Sequence, residues 1–270
     1  MQKVILITGV SSGIGEATAR VLAKAGHRVF GGARIPEKVR ATHGVELLRL
    51  DVRDEASIQA AVAHVIHEAG RIDVLINNAG VSLVGPVEAT RVDEAEALFD
   101  TNLFGVLRLV RAVLPSMRRN GSGLIVNLSS VLGFLPAPFM GLYAASKHAL
   151  EGMSETLDHE VRGFGVRVVL VEPSFTKTKL DTSAKKTAEQ ISDYSSELNA
   201  STKAVQQQVE AAPEAEVVAQ KIATILKGPH RLRQPADGRA KLLSVLRRFA
   251  PAKQVDKSLR GSFGLRIAAR

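Results

Sequence analysis

Short apolar, β-branched runs alternate along the chain with longer stretches in which apolar residues recur at helical spacing. The runs at 3–8, 28–33, 45–50, 74–77, 124–128 and 166–171 read as six buried strands. Between them the spacing predicts helices near 13–25, 56–69, 93–119, with an interruption near Asp100, and 143–164. Strands alternating with helices of this length predict an α/β fold, a doubly wound, mainly parallel sheet with helices on both faces. After Pro173 the texture changes. Residues 174–212 are rich in Ser, Thr, Lys, Gln and Ala and read as a lid or mobile helices rather than core. Helical period returns at 214–226, 230–234 offers a last edge strand, and 240–249 is a basic amphipathic helix stopped by Pro251.

Composition narrows the class. A chain of 270 residues with 45% hydrophobic and 23% charged residues has the balance of one large globular domain, which excludes disordered and fibrous chains. The simplest division is a single domain over 1–270, with a core at 1–180, a substrate lid and following helix at 181–230, and a basic C-terminal segment at 231–270. The absence of cysteine removes disulfides, Cys-ligated zinc, iron–sulfur clusters and thiol catalysis together. The first apolar run is too short for a signal-peptide core, and no stretch approaches the ~20 apolar residues needed to span a bilayer. A soluble, cytoplasmic protein is the expectation.

The formal net charge of +9 suggests an anionic partner until it is located. Residues 231–270 hold 11 Lys and Arg against 2 Asp, which leaves 25 basic and 25 acidic residues in the remainder. The body is neutral and the excess is terminal. Within it Leu242, Leu243, Val245, Leu246 and Phe249 interleave with Lys241, Arg247 and Arg248. Such a helix could lie on an anionic surface, but a helix packed on its own domain with solvated charges is the favoured reading, and nucleic acid is disfavoured.

Chemistry concentrates in a few places. Thr8-Gly9-Val10-Ser11-Ser12-Gly13-Ile14-Gly15 follows the first strand and opens the first helix. Glycines there permit a tight turn and close approach of backbone to a pyrophosphate, and the helix start offers unpaired N–H groups, as in dinucleotide-binding folds of the Rossmann type. The second strand ends Gly32-Ala33-Arg34 with no carboxylate to hold a ribose 2′-hydroxyl, so Arg34 favours a 2′-phosphate and hence NADP(H) over NAD(H). Tyr143 and Lys147 stand one helical turn apart on one face. A phenol titrates at ~10, and bringing it near 7 takes about 4 kcal/mol of preferential phenolate stabilisation, for which an ammonium has the right sign. Ser129 and Ser130 end an apolar strand at the sheet edge where α/β ligands bind, and Asn102 lies in a helical stretch that Asn does not favour.

In this order, the Thr8–Gly15 loop, Asp51-Val52, Asn77-Asn78-Ala79-Gly80, Asn102, the Ser-Ser strand end, Tyr143-x-x-x-Lys147 and Pro173 are similar to the motifs of the short-chain dehydrogenase/reductase family, over about 3–180. The resemblance implies Tyr143 as general acid/base, Lys147 as the group that lowers its pKa and holds the nicotinamide ribose, and Asn102 as support for a water beside Lys147. It selects Ser130, thirteen positions before the tyrosine, as the residue that binds the substrate oxygen with Tyr143. It implies cofactor contacts from Gly9, Ser11, Ser12, Gly13, Ile14 and Gly15, from Asp51 and Val52 around the adenine, from Asn78, Ala79 and Gly80 along the adenosine ribose, and from Pro173, Thr176 and Thr178 beside the nicotinamide. The family's Pro-Gly after the sixth strand is Pro173-Ser174 here. The chemistry so implied moves a hydride between a nicotinamide cofactor and a carbinol or carbonyl carbon and needs no metal.

The apolar segments 81–87 and 131–140, with 174–212, are expected to build a pocket for a small hydrophobic alcohol or ketone, while core or oligomer packing remains open for 131–140. Within the family the segments around Tyr143 and Pro173 look most like the 17β-hydroxysteroid and retinol dehydrogenase branch. The resemblance also implies a homodimer or homotetramer. An NADP(H)-sensing regulatory protein on the same fold is the alternative to an enzyme, weakened by the presence of all four reactive residues.

Overall fold

The computed structural model describes residues 1–265, so the last five residues of the basic segment lie outside the described residues. The chain runs β1 (Val4–Thr8), α1 (Gly13–Lys24), β2 (Arg28–Ala33), β3 (Val45–Arg49), α2 (Glu55–Ala69), β4 (Val74–Asn77), β5 (Leu83–Val84), α3 (Val92–Phe99), α4 (Gly105–Arg119), β6 (Gly123–Leu128), α5 (Gly141–Val161) and β7 (Val166–Glu172). It continues with α6 (Lys179–Thr182), β8 (Lys185–Lys186), α7 (Ser195–Glu210), α8 (Ala215–Ile225), β9 (Arg233–Pro235), α9 (Gly238–Phe249) and α10 (Ala252–Ser262).

Seven strands form one sheet in the order β3-β2-β1-β4-β6-β7-β9, every pairing parallel. The order reverses between β1 and β4, which opens a crevice at the carboxyl ends of those strands. All five residues of β1 are buried, and their alternation sorts them. Val4 and Leu6 join the core layer formed with α2, α4 and α5, while Ile5 and Ile7 join the layer formed with α1 and α8. Burying each such side chain contributes about 1.5–3 kcal/mol, so a strand apolar on both faces holds the sheet centre without help from its ends.

The interruption read near Asp100 is one wide turn of π-helix, Asp100–Phe104, carrying the chain from α3 into α4 without a break. The segment read as a lid contributes to packing as well. Val209 of α7 is buried, and Val205 packs in an apolar cluster with Val131, Leu132, Leu135, Met140 and Tyr143. Ala240 and Leu243 of α9 and Phe263 after α10 complete that cluster, so one face of the basic segment is packed on the domain. Among the described residues no helix is long and apolar enough to cross a membrane.

Candidate active site

The turn after β1 is built around close backbone approach. Gly9 has φ +73°, a left-handed conformation that L side chains rarely adopt, and a Cβ on it would stand 2.9 Å from Ala79 Cα. On Gly15 a Cβ would lie 2.2 Å from the Gly9 carbonyl oxygen. The loop is pinned to the next strand end: Asn78 Nδ2 donates to the carbonyls of Thr8 (2.9 Å) and Gly9 (3.0 Å), and the N–H groups of Asn78 and Ala79 donate to Thr8 Oγ1. Ser12 precedes α1 without using its side chain as a cap. The start of α1 therefore offers N–H groups and the positive end of the helix to an anion, and the absence of Cβ atoms leaves a cradle that fits a pyrophosphate.

At the neighbouring strand ends Arg34 is exposed and makes no hydrogen bond or ion pair among the described residues. Leu50 N–H donates to Ala33 O at 2.8 Å, which sets Asp51 and Val52 beside the end of β2. Asp51 Oδ1 accepts from Arg53 N–H (3.0 Å), and Val52 is buried where a Cβ on Gly105 would come within 2.9 Å.

The second half of the site is a cleft lined by Ile14, Ser130, Leu132, Tyr143, Ser174 and Thr178, together with Ser129, Val131, Met140, Pro173, Phe175, Thr176 and Leu180. Tyr143 and Lys147 share a face of α5. The Lys147 ammonium is buried, donates to Leu128 O at 2.7 Å and stands 5.8 Å from the centre of the Tyr143 ring. Burial lowers the Lys147 pKa from 10.5 to about 8, against the opposing pull of the Glu151 carboxylate one turn on. Asn102, in the π turn, is buried. Its Oδ1 accepts from Val81 N–H (2.9 Å), and its Nδ2 donates to Val81 O (2.9 Å) and Ser146 Oγ (3.1 Å). A Cβ on Gly80 would meet Asn102 Oδ1 at 3.4 Å and Lys147 Nζ at 4.0 Å, so Gly80 separates these two side chains by the width of one backbone.

The two adjacent serines have different work. Ser129 is buried and donates to Glu151 Oε1 at 2.6 Å. Ser130 Oγ accepts from Leu132 N–H at 3.1 Å, which leaves its hydroxyl hydrogen for the cleft.

The family model for short chain dehydrogenases matches residues 3–189. The chain belongs to the short-chain dehydrogenase/reductase family. A 3-ketodihydrosphingosine reductase of Bacteroides thetaiotaomicron is 44% identical over 171 residues, a match that spans 63% of this chain and 63% of that reductase. A short-chain dehydrogenase from Streptomyces avermitilis is 35% identical, with 97% of this chain and 98% of the other covered and a TM-score of 0.83. A metagenomic short-chain oxidoreductase solved with NADP is 30% identical (86% and 95% covered, TM-score 0.69), and a short-chain dehydrogenase/reductase from Burkholderia phymatum solved with NAD is 26% identical (100% and 98%, TM-score 0.81).

Against this family background the pocket expected from 81–87, 131–140 and 174–212 is met in part. Leu83 and Val84 pair with Lys185 and Lys186 in a separate two-stranded sheet, and Val84 packs with Met140 and Tyr143 beside the cleft. Of the apolar loop 131–140, Val131, Leu132 and Met140 face the cleft, whereas Leu135 and Ala137 are buried against the C-terminal segment. Sequence reasoning missed a carboxylate network behind the site. Arg233 of β9 pairs with Glu151, with Glu172 (3.0 Å) and with Glu155 (3.1 Å). Burial, then the Glu151 charge, raise the Glu172 carboxyl from 4.5 to about 7. A signal existed: an acid directly after the apolar run 168–171 needs a partner.

Proposed function

We propose that this protein is an NADP(H)-dependent oxidoreductase that interconverts a hydroxyl and a carbonyl on a hydrophobic substrate, with Tyr143 as general acid/base. The observation that carries the reading is the cleft that Tyr143 and Ser130 share, with the Lys147 ammonium buried behind the tyrosine ring. When bound, the nicotinamide cofactor supplies or accepts the hydride. Tyr143 gives its proton to the substrate oxygen in reduction and takes it back in oxidation. Ser130 donates its hydroxyl hydrogen to the same oxygen, while Leu132 N–H, donating to Ser130 Oγ, orients the side chain. Lys147 carries its charge below about pH 8 and favours the phenolate form of Tyr143. Asn102 fixes the strand-end backbone at Val81 and, through Ser146, the first turns of α5.

Gly9, Ser11, Ser12, Gly13, Ile14 and Gly15 would hold the pyrophosphate, Asp51 and Val52 the adenine, Asn78, Ala79 and Gly80 the adenosine ribose, and Pro173, Thr176 and Thr178 the nicotinamide end. Arg34, exposed at the end of β2 and engaged by no carboxylate among the described residues, supports the preference for a 2′-phosphate. The apolar residues Ile14, Val131, Leu132, Met140, Phe175 and Leu180 support a hydrophobic alcohol or ketone, as does the relative named as a reductase of 3-ketodihydrosphingosine. Phe104 and Leu107, exposed where α4 begins, support pairing of subunits through the α4–α5 face. Replacing Tyr143 by Phe removes the proton donor and keeps the ring. Turnover of hydrophobic ketones, followed by NADPH absorbance, falls by about 10²–10⁴-fold while NADPH binding, followed by fluorescence, stays within a few-fold. Turnover retained in the variant would overturn the assignment.

A further inference from the structure

We propose that the outer face of α9 is an interfacial surface that docks this protein on an anionic lipid bilayer. The helix has two apolar faces. One holds Ala240, fully buried, and Leu243, both packed into the cluster with Leu132 and Met140, while Arg247 Nε donates to Phe134 O at 3.2 Å. The other holds Leu242, Val245, Leu246 and Phe249, at 57%, 49%, 45% and 74% exposure. Their spacing of i, i+3, i+4 and i+7 draws one continuous stripe, and at 100° per residue the stripe lies on the side away from Ala240. The packing of α9 on the domain therefore accounts for the inner face alone.

The charges around the stripe choose its occupant. By the same spacing Lys241 and Arg248 flank one border, both exposed, while Arg239 on the other border turns to Gln208 and the Phe175 ring, and α9 contains no acidic residue. The following helix α10 adds Lys253, Lys257 and Arg260 against the single acid Asp256. A second copy of the chain, meeting this face about a two-fold axis, would bring the same cations against themselves. A polyanion such as nucleic acid would use the cations and leave four large apolar side chains in water. An anionic bilayer satisfies both features, taking the apolar stripe into the acyl boundary and the cations among the headgroups.

The surface is also tied to the cleft. Asp237 caps α9 by accepting from Ala240 N–H with Oδ1 (2.8 Å), and its Oδ2 accepts from the N–H and the hydroxyl of Ser174, both at 3.0 Å. Ser174 lines the cleft, so the docking helix is held one residue from the cleft wall. Docking itself does not depend on the reaction proposed above, and its test reads binding rather than turnover.

The experiment is co-sedimentation of the full chain with phosphatidylcholine vesicles, with and without phosphatidylglycerol, at low and high salt. The expected result is sedimentation with the anionic vesicles that falls with salt, and a loss of affinity on the order of tenfold or more in each of two double variants, Leu246→Ser with Phe249→Ser and Lys241→Glu with Arg248→Glu. These side chains are exposed, so melting temperatures should match the parent and show that the fold is intact. Failure to sediment with anionic vesicles would overturn the proposal, as would binding that the two variants leave unchanged. A gel-filtration shift from dimer to monomer in the Leu246→Ser, Phe249→Ser variant would assign the face to a second copy and overturn it equally.

Discussion

Glu172, behind the cleft, is expected to make the stability of this protein fall as pH rises through neutrality. The side chain is buried at the end of β7, faces the buried Glu151, and shares the single Arg233 guanidinium with it. Burial and the Glu151 charge raise its carboxyl from 4.5 to about 7, against the pull of Arg233. A folded-state pKa above the unfolded value means that the native state binds the proton more tightly, so the stabilisation is complete below about pH 4.5 and is lost as pH rises through about 7. The displacement, at about 1.4 kcal/mol per tenfold, is on the order of 3 kcal/mol. Glu172→Gln keeps the shape, the acceptor oxygen for Arg233 and the neutral state at every pH. Urea unfolding of the two apoproteins from about pH 5 to about pH 8 should show the parent losing roughly 3 kcal/mol more than the variant, or roughly 6–12 °C in melting temperature for a chain of this size. Titrating groups that are not coupled to Glu172 cancel in the difference, and the change is read for the Glu151–Glu172 pair. Parallel curves, within about 0.5 kcal/mol over the range, would refute the reasoning, because they would mean that Glu172 is ionised throughout.

Two substitutions test the cofactor end. Arg34→Asp places a carboxylate at the end of β2, and the ratio of kcat/KM for NADPH over NADH should fall by at least about tenfold; an unchanged ratio removes the 2′-phosphate argument. Gly15→Ala forces a Cβ to 2.2 Å from the Gly9 carbonyl and 2.4 Å from Asn78 Nδ2, so the loop must open. Dinucleotide affinity by fluorescence titration should drop at least about tenfold, with a loss of about 1–3 kcal/mol in stability, and a variant that binds normally would deny that the loop is the cradle.

How much of this was legible depends on how local the cause is. The strands at 28–33 and 74–77 coincide with their sequence boundaries because parallel strands buried on both faces show as apolar runs, here bounded by Arg28 and Asn77. The helix read from Tyr143 starts at Gly141 and gives way to a 3₁₀ turn after Val161, the usual uncertainty of helix ends. Asn102 stood out by its poor propensity, which the structure explains: a π turn is tolerated there because the side chain makes three hydrogen bonds outside the helix. The carboxylate network was illegible because its partners come from β9, 61 residues from Glu172 and 82 from Glu151. Apolar composition likewise marks 131–140 as covered without saying by what, and the cover for Leu135 and Ala137 is the C-terminal segment.

The serine that departs from the family pattern and the basic segment turn out to have one explanation. A glycine after Pro173 would still offer its N–H to Asp237, but only a side-chain hydroxyl adds the second bond to the same carboxylate oxygen. A hydrogen bond to a charged partner contributes about 1.5–3 kcal/mol, enough to hold the start of α9 against the loop that carries Thr176 and Thr178. The other oxygen of Asp237 caps α9, so the same residue that fixes the cleft wall also starts the helix that bears the exposed cations. The charge excess is therefore anchored inward at the cleft and presented outward on α9 and α10. Anything that binds those cations acts on a helix whose first turn is bonded to the cleft.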